Sequence, residues 1–188
     1  MILNWKLIIK KSKALMEKQT KLNKSPPLQL TKIAIEKGKD LSKSHKVDKN
    51  LVIVSLYLAH TIFNQQKSSK IRKEHPKLSS NFVKPYLNEW KIPIKEQKII
   101  LNSIEAHHGS IKTETKIAEV VKNAECFKFV TIEGSLIYFH ELGKRGTNYK
   151  EAKKLVLEKA NEKYKLLTFK ECIKDVEEQM KVINHIFK

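Results

Sequence analysis

Seven histidines are spread along the chain, and four of them sit where an imidazole needs a reason. His60 lies in SLYLAHTIF, a stretch otherwise almost entirely apolar. His75 lies in KEHPKLS, and His107 and His108 close SIEAHHG. A carboxylate, Glu125, follows in VVKNAECFKF. Imidazole is the commonest protein ligand for transition metals, and carboxylates complete such sites. Ligands carried on separate helices can meet in the core of a bundle. Each residue also has an ordinary reading. His60 could be a hydrogen-bonded core histidine. His107 and His108 suit a helix C-terminus, where a cation complements the dipole and glycine ends the helix. His75 could lie at the surface, and Glu125 could be a plain helical glutamate. Spacing alone favours the ordinary readings, because metal sites are usually signalled by tighter clusters.

The elements that must position these residues are helical. Apolar residues recur at helical spacing over 3–22 and 28–43, with the SPP of 25–27 between them. Asp48 is an expected N-cap for a helix over 49–64, which is β-branched enough for a strand but too long for one. A polar connector over 65–70 leads to a helix over 76–89, with Pro85 near its start or kinking it. The next helix covers 94–108 and stops at Gly109. Thr113 is the expected cap of a helix running through KIAEVVKNAECFKFV toward Leu142. Asn148 to Glu151 and Thr168 to Glu171 both fit the capping box, opening helices over 149–163 and 169–187. The expected fold is all-α, a single compact bundle of seven to nine helices. Five glycines and five prolines are too few for an all-β chain with its many turns.

The 188 residues carry a formal net charge of +18, and 40% are hydrophobic, enough for a sizeable core. Of the 38 basic residues only Arg72 and Arg145 are arginine. Scattered lysines give a diffuse field that draws in anions, nucleotides or nucleic acid, whereas base readers favour arginine for its bidentate contacts. A merely solvated lysine-rich surface fits the same composition. Cys126 and Cys172 form no ligand spacing and point to a reducing compartment. The N-terminal MILNWKLIIKK lacks a signal-peptide core, and no apolar stretch approaches the ~20 residues of a membrane span. A cytoplasmic protein without membrane association is expected. There is no P-loop, GxGxxG, GxSxG or HExxH.

The order of these motifs resembles the HD superfamily of metal-dependent phosphohydrolases, which are α-helical. VDKNLVIVSLYLAHTI looks like the helix that carries the His-Asp pair, with His60 in the histidine place. KEHPKLS resembles the segment supplying a further histidine, His75. SIEAHHG resembles the helix ending in paired histidines, His107 and His108. KIAEVVKNAECFKF resembles the segment of the final aspartate, with Glu125 in its place. The resemblance spans roughly 28–130. It implies an HD-like core over 28–145, preceded by an N-terminal helix and connector over 1–27 and followed by a packed C-terminal extension over 146–188.

Three positions depart from the pattern. Thr61 stands where the Asp of the pair belongs, Leu28 where an early histidine belongs, and Glu125 replaces the last aspartate. A carboxylate brings negative charge to a divalent cation and can bridge two ions; a threonine hydroxyl does neither. A two-metal centre is therefore not expected. A single Zn²⁺, Mn²⁺ or Fe²⁺ on His60, His75, one of His107 and His108, and Glu125 is one expectation, and a site without metal is the other. The activity implied is hydrolysis of a phosphomonoester or nucleotide. Lys67, Lys70, Lys73 and Arg72, on the connector after His60, are candidates for neutralising the phosphate or are ordinary solvated charges. The alternative is a degenerate HD domain without catalysis that binds a nucleotide, RNA or a protein. The pattern assigns no catalytic acid or base.

Overall fold

The computed structural model describes residues 3–23, 26–62 and 69–188, with 69–73 by backbone alone. Among these residues it is all-α, with nine helices and no strand. They are α1 (Trp5–Asn23), α2 (Leu28–Ser44), α3 (Lys49–Leu58), α4 (Ser69–Glu89), α5 (Ile94–Ala106), α6 (Lys116–Phe127), α7 (Ile132–Lys144), α8 (Tyr149–Lys165) and α9 (Lys170–Phe187). None is long and apolar enough to cross a membrane.

The centre of the bundle is α3, and its composition has a packing reason. Leu51, Val54 and Leu58 join an apolar cluster with Ile8 and Leu15 of α1, Val83 and Leu87 of α4, and Ile100 and Ile104 of α5. Val52 and Leu56 join a second cluster with α2, α6, α7, α8 and α9. A helix packed on both sides is apolar all round, which is why its sequence lacks the one-sided stripe of a surface helix. Burying each such aliphatic side chain is worth about 1.5–3 kcal/mol. Gly38 lets α2 approach α3 closely, since a Cβ there would lie 2.6 Å from Leu56 Cδ1.

The helix starts follow local chemistry at several points. Asp48 accepts from Asn50 N–H at 2.7 Å, and Asn148 accepts from Glu151 N–H at 3.0 Å. Gly109, with φ of +79°, follows α5 in the left-handed region that glycine tolerates.

Other boundaries differ from the sequence expectations. Helix α3 ends at Leu58, not at residue 64, so His60 stands in a turn beyond the helix. Thr61 N–H and the Thr61 hydroxyl both donate to the Leu58 carbonyl, which closes that turn. Residues 63 and 64 lie outside the described residues, as do 65–68 of the expected connector. Helix α4 begins at Ser69 and keeps both Pro76 and Pro85 inside it, so His75 lies within the helix rather than before it. Each proline forfeits one backbone hydrogen bond, but fully buried Val83 and Leu87 hold the helix in the core. The cap of α6 is Thr115, not Thr113, with its Oγ1 accepting from Ala118 N–H. That helix stops at Phe127 and does not reach Leu142, because Thr131 caps a separate α7 through Gly134 N–H.

The expected capping box at Thr168 does not form. Phe169 occupies the N-cap of α9 without a side-chain cap. Instead Asn123 Oδ1, reaching across from α6, accepts from the N–H groups of Thr168 and Phe169. Its Nδ2 donates to Thr168 Oγ1 and to the Glu119 carbonyl.

Candidate metal centre

Side chains at or just beyond the C-terminal ends of three helices meet at one place. His60 follows the end of α3, His107 is the C-cap of α5, and Lys128 is the C-cap of α6, one turn beyond Glu125. His75 completes the group from the second turn of α4. Each helix C-terminus carries roughly half a negative charge, so the convergence of three favours a cation between them.

The ring nitrogens offered by His60, His75 and His107 all lie within 4.8 Å of one another, and all three residues are buried. His75 Nε2 and His107 Nε2 are 3.3 Å apart. Two nitrogens held tetrahedrally at ~2.0–2.1 Å from one ion would be separated by about 3.3 Å. Without an ion, one N–H must lie between them, since two lone pairs cannot face each other at that distance.

Neighbouring groups orient the rings. His107 Nδ1–H donates to the Ile104 carbonyl, which leaves its lone pair on Nε2, facing His75. His60 Nε2 lies 2.6 Å from Glu125 Oε2, a carboxylate–histidine pair of the kind that fixes a ligand's tautomer. Burial holds His107 well below the ordinary imidazole range, with His60 and His75 adding to the effect. Burial and then the Lys128 ammonium push His60 down, against the pull of Glu125. Both rings are thus neutral and carry lone pairs, the state in which imidazole binds metals. Burial alone would raise Glu125, but the Lys128 ammonium and His60 hold it well below the usual carboxylate range. Its Oε1 is buried and takes no hydrogen bond from the described residues. A carboxylate beside the His60 ring adds negative charge at the edge of the group, which favours a bound cation. Burial pushes the Cys126 thiol up to about 11, so it is protonated and a poor ligand.

Of the paired histidines, the structure brings His107 into the group. His108 is the ring beside it, 4.3 Å from His107 and 4.8 Å from His75 between centroids. Its Nδ1 accepts from Lys163 Nζ at 2.8 Å, and burial pushes it far down. Glu125 supports His60 rather than joining the three-nitrogen group. Thr61 is fully buried with its hydroxyl turned to a carbonyl, and Leu28 merely opens α2. Lys67 lies outside the described residues. Lys70, Arg72 and Lys73 fall in the first turns of α4, where the structure describes backbone only.

Two lysines escape the sequence reading. Lys128 Nζ lies 2.5 Å from Glu125 Oε2 and 3.2 Å from His60 Nε2. Lys163, from α8, bridges His108 and Glu162. Their side chains are only 1% and 2% exposed. The i,i+3 spacing of Glu125 and Lys128 was a usable signal, masked among so many lysines. Lys163 has no local signal, because only packing brings α8 to His108.

The fold has a solved counterpart. A Lactobacillus plantarum protein, a structural-genomics target known from its crystal structure, aligns over 100% of this chain and 95% of its own, with a TM-score of 0.69. The sequences are 13% identical, so the likeness is one of fold alone. No family model matches the chain, and neither does any curated protein.

Proposed function

We propose that this chain is an HD-type phosphohydrolase holding one divalent transition ion (zinc, manganese or iron) on His60, His75 and His107. The observation that carries the reading is the buried group of three imidazole nitrogens within 4.8 Å of one another. The resemblance to the motif order of HD proteins at His60, His75 and His107, with Glu125 in place of the final aspartate, supplies the reaction class. When bound, such an ion acidifies a water and polarises a phosphoryl oxygen.

The protein's own groups serve that chemistry in three ways. The Ile104 carbonyl and Glu125 hold the rings of His107 and His60 in fixed tautomers. Burial of the cluster keeps the His60 and His107 imidazoles neutral at pH 7 and strengthens electrostatic interactions within it. The net charge of +18 attracts phosphorylated substrates, of which a phosphomonoester or nucleotide is the favoured class and nucleic acid a further partner.

A second reading has its own support. Thr61 contributes no carboxylate, its hydroxyl being bound to the Leu58 carbonyl, and Glu125 is already ion-paired. A domain that binds a nucleotide, RNA or protein without catalysis fits those facts. Protein purified without chelator separates the readings. About one equivalent of transition metal, lost in His60→Ala, together with chelator-sensitive hydrolysis of p-nitrophenyl phosphate or a nucleotide, supports the enzyme. Metal without hydrolysis favours the binding module, and metal-free wild-type protein sinks the metal site.

A further inference from the structure

We propose that Lys128 is a resident cation of this centre, one that cancels the charge of Glu125 beside His60 and so weakens the binding of the metal ion. The inference rests on the metal-site reading above and concerns how that site is regulated.

Among the described residues Glu125 is the carboxylate bonded to the cluster, and imidazoles contribute no negative charge. The Lys128 ammonium has already matched the charge of Glu125, at 2.5 Å from Oε2. It also lies 3.2 Å from His60 Nε2 and 5.3 Å from the centroid of the Phe129 ring. The His60 ring is in turn 4.7 Å from that of His107 and 5.1 Å from that of His75, centroid to centroid. An ion shared by the three rings would therefore be separated from the ammonium by little more than the His60 ring, in a water-poor interior where like charges repel strongly. The ends of α3, α5 and α6 favour positive charge here, and Lys128 supplies it from within the chain.

The test uses Co²⁺ alone as the probe, followed by its visible absorption, with the whole chain as wild type, Lys128→Met and Lys128→Gln. The glutamine variant removes the charge but keeps a donor for Glu125, so it remains readable if the methionine variant fails to fold; circular dichroism reports helicity. The expected result is Co²⁺ affinity higher by roughly tenfold or more in a folded variant. Adding His107→Ala should abolish the gain. Binding by a variant but not by wild type also supports the proposal. If wild type binds one equivalent and folded variants bind no tighter, the role of Lys128 is refuted and the metal site stands. If none of the three proteins binds Co²⁺, both ideas fall.

Discussion

Lys128 Nζ lies 2.5 Å from Glu125 Oε2, one helical turn along α6, with both side chains out of contact with water. Removing either partner from a buried pair strands the other charge, typically at ~3–5 kcal/mol. Glu125→Gln should therefore destabilise the metal-free protein by about that amount in urea or guanidinium unfolding. The double variant Glu125→Leu with Lys128→Met should recover most of the loss. If Glu125→Gln is neutral, the pair does not stabilise the fold.

Acid should unfold the protein early. His60, His107 and His108 are depressed in the folded state by burial first, with nearby positive charge adding to it. Their unfolded forms titrate near 6.5, so below that pH the unfolded chain binds more protons. The stability they contribute is present above about pH 6.5 and is lost progressively as the pH falls. Glu125, also depressed, adds a further loss below its unfolded value of ~4.3. Thermal midpoints should drop steeply from pH 7 to 5, with net proton uptake on unfolding. A flat profile over that range would contradict the neutral, buried cluster.

Gly134 sits where α7 passes the end of α6. A Cβ at this position would lie 1.6 Å from the Lys128 carbonyl oxygen and 2.9 Å from Thr131 Oγ1. Backbone cannot move aside as a flexible side chain can, so Gly134→Ala must displace the segment that carries Lys128. A loss of about 1–3 kcal/mol is expected, as for other overpacked sites. Equilibrium unfolding measures it, and an unchanged midpoint would show that α7 is free to shift.

Asn123 is fully buried and satisfies two backbone N–H groups at the start of α9. Asn123→Ala would leave both without that acceptor, at ~1–3 kcal/mol for each group left unsatisfied in the interior. Amide exchange of Thr168 and Phe169 should accelerate along with the loss of stability. Retained protection at those two amides would mean that another acceptor replaces Asn123.

Much of the helical content was legible in the residues. Asp48 and Asn148 act within three residues of themselves, so their caps could be read locally. The failures have a common origin. Thr168 carries the same local pattern as a capping residue, yet its hydroxyl donates to Glu119 and accepts from Asn123, both on another helix. The end of α3 at Leu58 was hidden because an apolar run gives no stop signal, and the turn is closed by Thr61.

The sequence by itself determined an all-α chain and marked His60, His75, His107 and His108 as the residues needing explanation. Helical periodicity and odd residues in apolar runs are local properties, visible without a fold. Only the tertiary structure decided how those histidines relate. His60 meets Glu125 across 65 residues and His75 meets His107 across 32. It also selected His107 over its neighbour and placed Lys128 and Lys163 among the rings. Two lysines out of many became buried cations because helix ends converged on them, a consequence of packing that no window of sequence contains.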